Sequence, residues 1–130
     1  MMAEKRAVCL NCIDGRVQLP VIQWIKDNYA ADHVDMITEP GIDGLVSDDT
    51  NPIDEINRKV RISVEKNGAS IIFIVGHYDC KGNPVSESYH RDQILLAVDR
   101  LKGEFTEKAV IGLWVNSQWR VERLEDISSI

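Results

Sequence analysis

The chain has little that marks a specialised polypeptide. It lacks a basic excess: 15 Lys and Arg stand against 21 Asp and Glu, a net charge of −6. No positive field gathers phosphate backbones, so nucleic acid is not an expected partner. It also lacks any apolar run near the roughly 18 residues of a membrane span, and Met-Met-Ala-Glu-Lys-Arg at the start has no apolar stretch behind its charges. Neither a membrane partner nor a leader segment is expected, and the location expected is cytoplasmic. Only three cysteines are present, and they cannot all pair. A disulfide framework is therefore not expected, which moves attention to metal binding or thiol chemistry. Finally, the sequence shows no repeat, low-complexity tract or Pro/Gly/Ser linker that would divide it. One domain over 1–130, long enough to bury a core of its own, is expected.

What is present is a hydrophobic pattern that switches period along the chain. Short, mostly apolar runs at 7–12, 33–38, 70–75 and 109–115 read as strands, the third being the most β-branched stretch in the protein. The alternation over 119–124, after a tight turn at Asn116-Ser117, reads as an antiparallel edge strand. Between these runs lie three helical patterns. The first starts near Pro20 and carries Val21, Ile22, Ile25 and Tyr29. The second covers 52–67, with Asn51 as N-cap, Pro52 at its first position, the stripe Ile53, Ile56, Val60, Val64, and Gly68 past its end. The third, 86–102, carries Ile94, Val98 and Leu101 and stops at Gly103. The stretch 41–44 reads as a loop. The order β-α-β-α-β-α-β-β predicts an α/β fold, a mostly parallel open sheet with helices on both faces. Strand order 2-1-3-4-5 is the arrangement expected for it, one in which the first and third strands are neighbours.

Reactive residues collect at two strand ends. The first strand runs into Cys12-Ile13-Asp14-Gly15-Arg16 and the third into Gly76-His77-Tyr78-Asp79-Cys80. In open α/β sheets the carboxyl edge is where ligands bind, and the predicted strand order makes these two ends neighbours where the winding reverses. Cys12, His77 and Cys80 are two soft sulfurs and an imidazole, a ligand set that Zn²⁺ prefers. Three protein ligands leave a fourth tetrahedral position open, the feature that separates a catalytic zinc from a structural one. Asp14, two residues after Cys12, is placed either to accept a hydrogen bond from a metal-held water or to coordinate the metal itself. Engagement by the Arg16 guanidinium favours the first role, because it holds the carboxylate bidentately and keeps it ionised. Gly15 is read as the residue that permits the sharp turn between them.

C-x-D-x-R followed by G-H-x-x-C resembles the β-class carbonic anhydrases, and the chain is similar to a short member of that family. By that resemblance Cys12, His77 and Cys80 fall on the zinc ligands and Asp14 and Arg16 on the catalytic pair. It further implies the β-carbonic-anhydrase-like fold, zinc-bound hydroxide attacking CO₂ to give bicarbonate, and a homodimer or higher assembly. The chain departs from the pattern in having no long N-terminal helical arm. It also has Glu39-Pro40-Gly41-Ile42-Asp43 where many members carry a basic, Asn-containing loop, and Lys81-Gly82 in place of a double glycine. Hydrolysis of a CO₂ analogue such as carbonyl sulfide or carbon disulfide fits the same framework.

Blander readings stand beside these. Buried cysteine is often only a small hydrophobe, the reading given to Cys9. Cys9-Leu-Asn-Cys12 is nonetheless a C-x-x-C, which admits a redox thiol pair, or a closed structural zinc site with Cys9 as fourth ligand and no hydratase activity. His33 and His90 are expected at the surface or in capping roles, with a proton-shuttle role for His90 as the minor alternative. Asp43, Asp48 and Asp49 are expected in a solvated acidic loop rather than a calcium site. Trp24, Trp114 and Trp119 are expected in the core or at a subunit contact.

Overall fold

A computed structural model describes residues 4–124; Met1 to Ala3, where no leader-like run was expected, and residues 125–130 lie outside the described residues. Five strands form one sheet in the order β2-β1-β3-β4-β5. They are β1 (Arg6–Asn11), β2 (His33–Thr38), β3 (Ile71–His77), β4 (Ala109–Val115) and β5 (Val121–Leu124). The first four run parallel, and β5 closes one edge antiparallel to β4. Strand order, direction and the antiparallel edge are those expected from the sequence. The first strand ends at Asn11 and the third continues to His77, so His77 is the last residue of the ladder rather than a loop residue.

The sheet is covered on both faces because its strands are apolar on both. Val8 and Leu10 of β1 pair in register with Ile72 and Ile74 of β3 and join one core cluster. Their neighbours Ala7 and Cys9 pair with Ile71 and Phe73 on the opposite face and belong to a second cluster. Side chains that alternate in direction but not in polarity demand cover on each side. The helix α1 (Gln18–Tyr29) supplies Val21 and Ile25 to the second face. The first face is covered by α2 (Ile42–Ser47), α3 (Asp54–Arg61) and α4 (Glu87–Glu104) through residues such as Val46, Val60, Ile94 and Leu101. Each such aliphatic side chain contributes about 1.5–3 kcal/mol on full burial.

Four local expectations are corrected. The stretch 41–44 is not a loop: Gly41 takes a left-handed φ of 56° and opens α2 directly. Asn51 does not cap α3, whose N-cap position is Ile53 with no side-chain bond. The Asn51 amide instead donates to the Leu45 carbonyl (3.1 Å), tying the end of α2 to the start of α3. The second helical pattern is two pieces, since α3 passes at Ile62 into a π-helical turn over Ile62–Lys66. The α4 helix runs through Gly103 to Glu104, because one glycine lowers helix propensity without ending a helix whose Leu101 is buried. Of the tryptophans, Trp114 is core, while Trp24 and Trp119 are half-buried against the second face.

Asp35 of β2 fastens that edge of the sheet. Its carboxylate accepts from Arg6 Nη1 (2.8 Å), Ser63 Oγ (2.6 Å) and Asn67 Nδ2 (3.0 Å). Burial alone would raise the carboxyl, but these hydrogen bonds outweigh it and hold it below the usual carboxylate range. An Asp35→Ala variant leaves the buried Ser63 hydroxyl without its acceptor and is expected to lose about 1–3 kcal/mol of unfolding free energy. Because the folded carboxyl is more acidic than the unfolded one, its contribution is full above the unfolded value. It fades as pH falls through the folded one. Denaturant unfolding of parent and variant should therefore differ at neutral pH and converge on acidification.

Candidate metal centre

The turn after β1 is built by side chains that hydrogen-bond to the backbone. Asn11, fully buried, accepts the Cys12 amide on Oδ1 (2.9 Å) and donates from Nδ2 to the Val17 carbonyl (3.2 Å). Gln18 Nε2 also donates to the Cys12 carbonyl. Asp14 Oδ1 accepts the Arg16 amide (2.9 Å), which folds 14–16 into an Asx-type turn. Gly15 takes no left-handed φ, and a Cβ there would meet nothing within 4 Å, so the turn does not depend on glycine as the sequence suggested. On the neighbouring strand, β3 ends at His77 and the Tyr78 amide donates to the Val115 carbonyl (2.8 Å), extending the ladder to β4. Asp79, in a left-handed φ of 56°, then turns the chain so that Cys80 points back inward.

These two turns bring Cys12, His77 and Cys80 together. One donor atom from each lies within 4.8 Å of the others, and all three residues are buried. The Cys12 and Cys80 sulfurs are 3.9 Å apart. His77 Nδ1 is 2.8 Å from the Tyr78 carbonyl oxygen, which can only accept, so Nδ1 carries the proton and Nε2 the lone pair. That Nε2 is buried and has no hydrogen-bond partner among the described residues. An orphaned buried acceptor costs about 1–3 kcal/mol unless something binds it. Burial lowers the His77 imidazole below its ordinary value, which keeps it neutral and fit to ligate. Burial, and then the adjacent Cys12 sulfur, push the Cys80 thiol upward. The Gly41 amide donates to Cys12 Sγ at 3.5 Å, the outer contact that a ligating sulfur commonly has. The donor set therefore fits a borderline-soft divalent ion such as Zn²⁺. Cys9 is not one of the group: it is fully buried in the second-face core, and burial drives its thiol far above the ordinary value.

Asp14 and Arg16 lie beside this trio. Arg16 Nη2 donates to Asp14 Oδ2 (2.7 Å), and Nε reaches both carboxylate oxygens (3.1 and 3.2 Å). The Arg16 hydrogen bond holds the Asp14 carboxyl down to about 2. A cavity of about 380 Å³, lined by Cys12, Ile13, Asp14, Pro40, Lys81 and Gly82, opens next to the pair.

A model of the family described as "Putative carbonic anhydrase" matches residues 2–125. The chain belongs to this carbonic anhydrase family. No curated protein matches it. Solved structures agree on the fold. A carbonic anhydrase from Streptococcus mutans superposes with a TM-score of 0.66 at 14% identity, covering 96% of this chain and 87% of that one. The β-carbonic anhydrase isoform I of Trichomonas vaginalis gives 0.65 at 15% identity over 93% and 83%. A tetrameric β-carbonic anhydrase of the ascomycete Sordaria macrospora gives 0.52 at 14% over 95% and 83%.

Two sequence expectations are overturned close to the centre. Asp43 is 1% exposed, not part of a solvated loop, and His90 is 2% exposed, not on the surface. Asp43 Oδ2 lies 2.6 Å from His90 Nδ1, and Asp43 Oδ1 accepts from Asn83 Nδ2 (3.1 Å), which also reaches Gln93 Oε1 (2.7 Å). The network joins α2 to α4 behind β3. It is so close to the strand that a Cβ at Gly76 would fall 2.3 Å from Asp43 Oδ2. No spacing rule announces it, since Asp43 and His90 are 47 positions apart and meet only through the packing of α2 on α4. Asp48 and Asp49 are exposed as expected, and His33 is an exposed partner of Glu4.

Two outcomes follow from this geometry. Cys12→Ser and His77→Ala should each reduce bound zinc from about one per chain to near zero by elemental analysis, with Co²⁺ titration losing its thiolate absorption in the first. His90→Ala leaves buried Asp43 Oδ2 without its partner, the Asn83 bond to Oδ1 remaining, and is expected to cost about 1–3 kcal/mol in denaturant unfolding, against a smaller loss for Asp43→Asn.

Proposed function

We propose that this chain is a zinc-dependent carbonate dehydratase that interconverts CO₂ and bicarbonate, acting as one β-carbonic-anhydrase-like domain. Cys12, His77 and Cys80 hold the metal, and Asp14 and Arg16 serve as the catalytic pair. The observation that carries this reading is the buried trio of two sulfurs and an unpartnered imidazole nitrogen beside a carboxylate locked to a guanidinium. When bound there, Zn²⁺ supplies the Lewis acidity that lets water ionise near neutral pH.

The remaining work falls to the chain. Asp14, kept ionised by Arg16, accepts a hydrogen bond from the attacking oxygen and fixes its orientation. Arg16 also occupies both carboxylate oxygens, which would keep Asp14 from acting as a further ligand. Ile13 and Pro40 give the adjoining cavity an apolar wall suited to an uncharged, linear substrate. The assembly proposed is a homodimer or a higher homo-oligomer, in keeping with the tetrameric Sordaria relative. A cytoplasmic location suits three buried cysteines that are all unpaired. Among the described residues no helix is long and apolar enough to cross a membrane.

Stopped-flow CO₂ hydration of the zinc-loaded protein tests the reading. The parent should hydrate CO₂, and Asp14→Ala should lose about 100-fold or more in kcat while retaining its zinc. A parent that binds zinc but hydrates no CO₂ would refute the dehydratase assignment and leave either a CO₂-analogue hydrolase, decided by assay with carbonyl sulfide and carbon disulfide, or a non-hydratase zinc module.

A further inference from the structure

The Arg16 guanidinium is held by more than its Asp14 partner. Asp79 accepts from Arg16 Nη1 on Oδ2 (3.3 Å) and from Nη2 on its backbone carbonyl (3.2 Å). With the Nε and Nη2 bonds to Asp14, four of the five guanidinium N–H groups are engaged. Trp119 closes the face of the plane: Arg16 Cζ stands 4.6 Å from the centroid of its ring. The same indole stacks on Tyr78, with centroids 6.5 Å apart at 26°, and leans over His77 at 6.4 Å.

Backbone conformation points to the same two residues. Among the described residues three non-glycine positions have a positive φ, and two of them, Asp79 (56°) and Trp119 (60°), are the ones that touch Arg16. Aspartate tolerates this conformation, but for an indole it is a strained state that persists only where surroundings impose it. Here the imposition is visible. Asn116 Oδ1 accepts the amides of Gln118 (3.0 Å) and Arg120 (3.1 Å), and the Asn116 carbonyl accepts the Trp119 amide (2.9 Å). The turn between β4 and β5 is thus fastened so as to lay one large ring over the metal-side turn. Arg16 itself is 44% exposed, and an exposed Arg–carboxylate pair alone is weakly held against the rotamer freedom of a long side chain.

We propose that Trp119 and Asp79 are positioning residues that clamp Arg16 from its face and from its far edge, so that it presents one fixed fork to Asp14. The inference rests on the reading of Asp14 and Arg16 as the catalytic pair. Neither clamp residue touches the reacting atoms; both act through Arg16.

The test pairs a measurement on Arg16 with a measurement on the reaction. In ¹⁵N-labelled zinc-loaded protein, solvent exchange of the Arg16 Nε–H is compared among parent, Trp119→Leu, Trp119→Phe and Asp79→Asn, beside CO₂ hydration and zinc content. Trp119→Leu and Asp79→Asn are expected to speed Nε–H exchange and to lower kcat by about two- to fivefold with zinc retained. Trp119→Phe, which keeps a π-face, should lie nearer the parent on both counts. Exchange that is unchanged in Trp119→Leu and Asp79→Asn overturns the clamp. So does unchanged exchange in Asp79→Asn alone, should the Leu variant fail to fold, since an isosteric surface change carries no comparable folding risk. The exchange measurement needs no turnover, so a parent without hydratase activity would refute the proposed function and leave the clamp to be decided by NMR.

Discussion

The parallel pairing of β1 with β3 is the constraint on which the site depends. Val8, Cys9 and Leu10 lie in register with Ile72, Phe73 and Ile74, and the two strands end one beside the other. Only then can Cys12 be delivered to the imidazole that ends β3, 65 positions further along the chain, and to the Cys80 sulfur that follows it. The pairing is fixed by burial on both faces: a slip of one residue would exchange the two core clusters wholesale. Strand register and donor geometry are therefore one specification, and a core substitution in β1 or β3 acts on the metal centre through position.

Around that junction the charges are arranged for local neutrality. One carboxylate balances one guanidinium, and the two sulfurs, once ionised, would match the charge of a divalent cation. Behind the sheet Asp43 pairs with His90 and Asn83, and Asn83 with Gln93, while Trp114 Nε1 beside them has no partner among the described residues. The orphaned His77 Nε2 is the buried unpartnered atom that belongs to the residues of the donor trio.

The sheet was legible in the sequence because apolar, β-branched runs such as Ile71–Val75 mark strands covered on both faces, and the alternation of strands and helices implies parallel pairing, though it does not by itself fix the order. The donor trio was legible because C-x-D-x-R and G-H-x-x-C place distinctive side chains at strand ends. What escaped the reading was whatever arises between elements. Asp43 looked solvated because Asp48 and Asp49 follow it, yet α2 turns it against α4 while leaving its two neighbours outside. Trp119 gave a hydrophobic signal without direction, and its approach to Arg16 is set by a left-handed backbone that no periodicity reports. Asn51 offered a capping oxygen, but α3 starts only at Asp54, behind Ile53, and the side chain instead donates from Nδ2 to the Leu45 carbonyl.

The loops beneath the centre meet backbone to backbone. A Cβ on Gly41 would lie 2.6 Å from the Gly82 carbonyl oxygen, and one on Gly82 would lie 2.7 Å from the Gly41 nitrogen. Neither loop can take on a side chain here without pushing the other away, and Gly41 in addition needs its left-handed φ. Diversification of this scaffold, natural or engineered, is consequently channelled outward: residues at the rim can be exchanged to reshape what enters, while these two positions admit a single amino acid each.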